Sequence, residues 1–233
     1  MCCSSMAHSG ATTNSFIFRE TVQPRWRWDT FRFHPPQEAS RSWRSYPDQY
    51  PEDLRAEIDC WNDLIYRTVN NGVYRAGFAS AQDKYDKAVG ELFATLETLE
   101  RHLAKSRYLC GERITEADWR LFTTLIRFDA VYVGHFKCNL KRLVDYPNLS
   151  GYARELYQWP GVRETVNLDH IKRHYYGSHE RINPTRIVPL GPLLDFDVPH
   201  GREGAAGHPP AVEPGGLASS AGPDRKPAPG SMG

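Results

Sequence analysis

Apolar residues recur at helical spacing through the middle of this chain. In YPEDLRAEIDCWNDLIYRTVNNG, Leu54, Ile58, Trp61 and Ile65 share one face, Pro51 suits a first helical turn and Gly72 suits a stop, which predicts a helix between them. In DKYDKAVGELFATLETLERHL, Tyr85, Val89, Leu92, Leu96, Leu99 and Leu103 alternate steps of four and three, the seam of a long helix packed lengthwise on a neighbour. ITEADWRLF reads as a capping box. Thr115 can accept from the amide of Asp118, Asp118 can reach back to the amide of Thr115, and Ile114 can pack on Trp119 as a hydrophobic staple. Leu121, Phe122, Leu125, Ile126 and Phe128 then cover most of the wheel, which predicts a helix through the centre of the domain. Pro160 and Gly161 break a helix begun around Tyr152 and Leu156, and a further helical stretch is expected from Val162 to Tyr176. No strand pattern stands out between residues 49 and 190, so the expected fold class is all-α.

The two ends follow other rules. From residue 193, and markedly from Asp195, Pro, Gly and Ala displace large apolar residues, and 193–233 reads as a disordered tail unable to bury enough surface to offset its ordering entropy. Residues 1–48 mix Arg, Trp, Ser and Pro with only brief alternation at RWRW and FRF, and read as an irregular segment. The bundle is therefore expected over 49–192. A 233-residue chain with 40% hydrophobic content suits one such body with tails.

A net charge of +1 creates no long-range field for nucleic acid or an anionic bilayer, and neither is expected as a partner. Five unevenly spaced cysteines, the lack of an apolar signal core in MCCSSMAHSGATTNS and the lack of any long apolar run point to a soluble cytoplasmic protein.

Several residues invite chemistry. Asp118 is better explained as a helix-start residue than as an acid catalyst. His170 and His174 stand one turn apart, and His135 precedes Cys138 by three, so imidazole and thiolate zinc ligands are conceivable. Tight Cys-x-x-Cys pairs are missing, and no metal is assigned. Cys138 could act as a nucleophile beside His135 and Lys137, against the commoner reading of a packed cysteine. Lys172, Arg173, Arg181 and Arg186 form a modest basic cluster, read as solvated surface. Tyr74, Tyr132 and Tyr175, taken alone, are amphipathic core tyrosines.

A buried helix introduced by ITEAD after YLCGER resembles the all-helical half of a glutathione transferase. NNGVYRAGFA at 70–79, LFTTLIRFDAVYVGHFKCN at 121–139, DYPNLSGYARELYQWPGVRETVN at 145–167 and HIKRHYYGSHERINPTRIVPLGP at 170–192 sharpen this, and together resemble the glutathionyl-hydroquinone reductases, the xi-class, omega-like glutathione transferases. The resemblance implies a glutathione transferase C-terminal-type helical bundle. It also implies glutathione as co-substrate, a glutathionylated hydroquinone or other aromatic acceptor, and a homodimer.

In that family a cysteine in a Cys-Pro-Trp context, at a helix start of an N-terminal thioredoxin-like domain, supplies the thiolate. It attacks the glutathione sulfur, the hydroquinone leaves, and a second glutathione resolves the mixed disulfide to oxidised glutathione. No Cys-Pro-Trp occurs here, and Cys2 and Cys3 are followed by Ser. The thioredoxin-like half is thus expected to be missing, no catalytic residue is assigned within the chain, and turnover by the chain alone is not expected. By resemblance, Tyr74, Tyr132 and Tyr175 would contact the hydroquinone oxygens, with the choice between Tyr175 and Tyr176 left open. Phenols suit the task because a neutral hydroxyl can donate to a developing phenolate while its ring packs on the substrate. The alternative is a non-catalytic helical module for dimerisation or docking.

Overall fold

Pro51 precedes a short 3-10 turn, Glu52–Leu54, which feeds helix α1, Arg55–Ile65, in a computed structural model that describes residues 48–204. Residues 1–47 and 205–233, which hold Cys2, Cys3 and most of the two expected irregular segments, lie outside the described residues.

Gly72 does not end the first helix as its position suggested. The chain widens into a π-helical turn, Tyr66–Asn70, and resumes as α2, Gly72–Gly77. The reason is packing. One helical glycine costs about 1 kcal/mol, whereas Val69 and Val73, both fully buried, each gain on the order of 2 kcal/mol from burial. Asn70 ties the turn down by donating to the Arg120 carbonyl at 3.0 Å and to Thr124 Oγ1 at 2.6 Å.

The four-three seam forms α3, Gln82–Leu103, with Val89, Leu92, Leu96, Leu99 and Leu103 buried. Tyr85, at the edge of the seam, is half-buried and donates to the Lys137 carbonyl at 2.6 Å. Helix α4, Glu116–Arg127, starts at the expected capping box. Asp118 Oδ2 accepts from the Thr115 amide at 2.8 Å and from its hydroxyl at 3.0 Å, while Oδ1 accepts from the Leu109 amide at 2.9 Å and the Tyr152 hydroxyl at 2.7 Å. Burial pushes the carboxyl upward while these donors hold it down. Asp118 is thus a structural hub joining the 107–113 turn, α4 and the next helix.

A second π-helical turn, Phe128–Tyr132, follows α4, and α5 spans Pro147–Tyr157. The stretch expected to be helical from Val162 divides into a 3-10 turn, Arg163–Thr165, and α6, Leu168–Ser178. The divider is Asn167, which takes an extended backbone and accepts from the His170 amide at 2.9 Å, the geometry of an N-cap. Among the described residues the only β contacts are the isolated bridges Tyr108 to Gly111 and Cys110 to Arg113, as the all-α expectation requires. Helix α3 runs between α2 and α5, α4 packs on α1 and α5, and α6 lies on the second π turn.

The body continues past residue 192, where composition suggested it would stop. Residues 193–204 are described, and Arg202 enters the interior only 6% exposed. Its Nε donates to Glu155 Oε2 at 3.0 Å and its Nη atoms reach the carbonyls of Leu103, Ser106 and Arg107 at 3.2, 3.1 and 2.6 Å. Arg107 and Tyr108 occupy the other oxygen, Glu155 Oε1, at 2.7 and 2.9 Å. Gly151 makes room for this strap, since a Cβ there would stand 2.8 Å from the His200 carbonyl.

Candidate functional site

Three elements deliver one tyrosine each to a common point. Tyr74 comes from α2, Tyr132 from the last position of the second π turn, and Tyr175 from α6. The Tyr175 hydroxyl lies 2.6 Å from that of Tyr74 and 3.0 Å from that of Tyr132. Tyr132 and Tyr175 are buried and Tyr74 is half-buried. Burial pushes the Tyr74 phenol up to about 12, reinforced by Tyr175 and partly offset by Tyr132, and raises Tyr132 further, reinforced by Tyr175 and Tyr74. Around neutral pH Tyr74 and Tyr132 are therefore uncharged O–H donors and acceptors.

A shell of rings fixes them. Phe136, fully buried, stacks on Tyr132 at 5.5 Å and meets Tyr74 at 5.3 Å and Tyr175 at 6.0 Å. Phe136 fits only because residue 77 is glycine, for a Cβ there would come within 2.3 Å of its ring. Phe78, 48% exposed, reaches Phe136 at 5.5 Å and His179 at 5.1 Å, giving the cluster an open aromatic edge.

The adjacent tyrosines of α6 separate cleanly. Tyr175 turns to the phenol cluster, whereas Tyr176 packs its ring 4.6 Å from that of His135.

Other sequence candidates go elsewhere. Cys138 is fully buried, offers its thiol to the Phe136 carbonyl at 3.8 Å, and is pushed up to about 12 by burial. Cys110 is buried beside Thr115 and pushed up to about 11. Such thiols are held protonated. His135 bonds His179 rather than Cys138, and among the described residues no group of three or more His, Cys, Asp or Glu is placed to hold a metal. In the basic cluster Arg173 pairs with Asp169 at 2.7 Å, Arg186 pairs with Glu180, and Lys172 donates to the Leu190 carbonyl at 2.8 Å.

Sequence reasoning missed two features. The His135 and His179 pair joins residues 44 apart in the chain. Arg202 lies in a Pro- and Gly-rich stretch whose composition argues against any buried partner.

Residues 82–155 match the family model for the glutathione S-transferase C-terminal domain. Over 156 residues the chain is 56% identical to the glutathionyl-hydroquinone reductase YqjG of Escherichia coli, covering 67% of this chain and 48% of that protein. Over 145 residues it is 57% identical to the glutathionyl-hydroquinone reductase PcpF of Sphingobium chlorophenolicum, covering 62% and 46%. The glutathione-bound structure of YqjG superposes with a TM-score of 0.67 at 56% identity, over 68% of this chain and 51% of that one. A xi-class glutathione transferase from Natrialba magadii superposes with a TM-score of 0.68 at 52% identity, over 70% and 51%. The chain spans about half the length of the curated relatives it matches.

Proposed function

We propose, for a chain whose described body is the helical C-terminal domain of the glutathione transferase family, that this body forms the acceptor side of a glutathione-dependent reductase of glutathionyl-hydroquinones. One observation carries the reading. The Tyr175 hydroxyl lies within 3.0 Å of those of Tyr74 and Tyr132, each from a separate element, beside an aromatic edge that a substrate ring can extend.

In the free site the hydroxyls satisfy each other. An incoming hydroquinone oxygen replaces one of those bonds and receives donors that stay protonated through neutral pH, because burial holds Tyr74 and Tyr132 above the usual phenol range. With the sulfur-bearing ring carbon in its keto form, thiolate attack on the glutathione sulfur breaks the carbon–sulfur bond and leaves its electron pair as a phenolate on the ring oxygen, which a proton then converts to the hydroquinone. Fixed O–H donors stabilise that oxygen charge more than they stabilise the ground state. Neither Cys110 nor Cys138 is a thiolate near neutral pH, so these two are not the attacking sulfur. Glutathione as co-substrate and a reducing cytoplasmic setting belong to the same proposal, in line with the glutathione-bound state of the related YqjG structure.

The test is calorimetric titration of the full chain with glutathionyl-menadiol under anaerobic conditions, with released menadiol followed by chromatography in the presence of excess glutathione. Saturable binding that weakens in Tyr175→Phe, with no release above a protein-free control, is the expected result. A titration without binding heat at any concentration, from folded protein, would remove the acceptor reading.

A second reading, a dimerisation or docking module, has its own support in the well-exposed apolar side chains Ile187, Leu190 and Leu193, the last two 95% and 97% exposed. A homodimer covering them is compatible with the acceptor site, and sedimentation of the full chain decides it.

A further inference from the structure

We propose that His135 and His179 act as a positioning pair, a hydrogen-bonded tie that sets where the end of α6 sits and so holds the Tyr175 hydroxyl between those of Tyr74 and Tyr132. Only the final, ligand-binding arm of this proposal rests on the acceptor reading above.

His135 Nε2 and His179 Nδ1 stand 3.0 Å apart. His135 is buried, follows the second π turn, and lies three residues after Tyr132. His179 caps the C-terminus of α6, four residues after Tyr175. The tie therefore connects the two chain segments that carry the two buried phenols of the cluster, each at about one helical turn from its tyrosine.

The rings make the coupling directional. Phe136 is the common wall: His179 stacks on it at 5.6 Å with 23° between planes, His135 tilts on it at 5.2 Å, and Tyr132 stacks on it at 5.5 Å with 17°. Tyr175 meets His179 edge-on at 5.6 Å. Losing the tie leaves the last turn of α6, which carries Tyr175, to these ring contacts, to the hydroxyl bonds of Tyr175 itself and to the bond that Asn183 donates to the Tyr176 carbonyl at 2.9 Å.

The bond demands a defined proton arrangement, one ring nitrogen donating and the other accepting. Burial lowers both imidazoles, His135 to about 4, so the pair is neutral at pH 7 and meets that demand. It keeps one N–H···N bond with zero or one added proton, and only double protonation opens it.

Four forms of the full chain test this: wild type, His179→Ala, His179→Phe and His179→Gln, with ring-labelled tyrosine and nitrogen-labelled histidine followed by NMR. In wild type a scalar coupling across the N–H···N bond should link His135 and His179. His179→Phe keeps a stacking ring without the tie, and His179→Gln keeps a neutral donor and acceptor without the imidazole. The Tyr175 ring signals should shift and broaden in the Ala and Phe variants and return to wild-type positions in the Gln variant. Far-UV circular dichroism confirms that each variant is folded. Affinity for glutathionyl-menadiol should fall about three- to tenfold in the Ala and Phe variants, the range of one lost hydrogen bond, and recover in Gln.

Unmoved Tyr175 signals in His179→Phe overturn the proposal, because stacking alone then sets the pose. Moved Tyr175 signals in a protein that never binds glutathionyl-menadiol uphold the tie and reject the acceptor reading instead. Moved signals with unchanged affinity overturn the claim that the tie serves the site.

Discussion

Replacing Arg202 with alanine removes a guanidinium that makes four hydrogen bonds inside the body, one to Glu155 Oε2 and three to the carbonyls of Leu103, Ser106 and Arg107. All four acceptors then lose a charged donor in a region water reaches poorly. Breaking a buried ion pair by removing one partner costs about 3–5 kcal/mol. Here Glu155 keeps Arg107 and Tyr108 on its other oxygen, so the lower end applies, about 3 kcal/mol. For a domain of this size that is a fall in Tm of about 6–12 °C. Arg202→Lys retains a charge but not the planar fork that serves several acceptors at once, so it should fall between the two. Glu155→Gln leaves Arg107 and Arg202 facing each other without their counter-charge and should cost at least as much as Arg202→Ala. The assay is urea unfolding of the full chain followed by circular dichroism, with midpoint and slope fitted separately. A double-mutant cycle with Glu155→Gln should show strong non-additivity. An Arg202→Ala protein within about 0.5 kcal/mol of wild type, the range typical of surface substitutions, would refute the reasoning and return residues 193–204 to the solvated tail that composition suggests.

Gly77→Ala drives a methyl into the Phe136 ring, which is fully buried and ringed by Tyr74, Phe78, Tyr132 and His179; a loss of about 1–3 kcal/mol is expected from overpacking, together with displaced tyrosine signals. Asp118→Asn turns an acceptor-only group that receives four hydrogen bonds into one that must present an NH2 to donors; it should cost about 2–3 kcal/mol by urea unfolding. His135, lowered to about 4 in the fold against 6.5 ordinarily, binds fewer protons folded than unfolded between those values. Stability should therefore decline as pH falls from about 6.5 toward 4, by at most about 1.4 kcal/mol per pH unit, and His135→Asn should flatten that slope by up to one proton.

Elements whose signal is local were legible. The α3 seam needs only alternating steps of four and three, and the Thr115 and Asp118 box needs only two residues three apart, so both appear as read. The stop expected at Gly72 failed because local propensity was outweighed by partners 50 and 54 residues away, Arg120 and Thr124, which bind Asn70. Arg202 was illegible for a related reason. Its neighbours carry no apolar pattern, and its place is fixed by one carboxylate on α5 and three carbonyls at and beyond the end of α3. Tyr74, Tyr132 and Tyr175 were singled out through resemblance to a family, since Tyr at such positions reads equally as core. That their oxygens meet depends on the second π turn, which no periodicity announces.

The chemistry of the tyrosine cluster follows from what burial does to each type of acid. Desolvation disfavours every anion, so it raises phenols and thiols alike. For a phenol that change is useful, because a hydroxyl held above the usual range remains a donor throughout neutral pH and answers charge forming on a substrate oxygen without surrendering its own proton. For a thiol the same change is disabling, because the thiolate is the reactive form. One apolar body therefore suits Tyr74 and Tyr132 for the oxygen recognition proposed above and unfits Cys110 and Cys138 for attack. Lowering a thiol requires a cation or a helix N-terminus at partly exposed sulfur, conditions opposed to those around Tyr132. An activated sulfur and a dry phenol cluster are thus best built on different structural elements, and within 48–204 the chain provides the second.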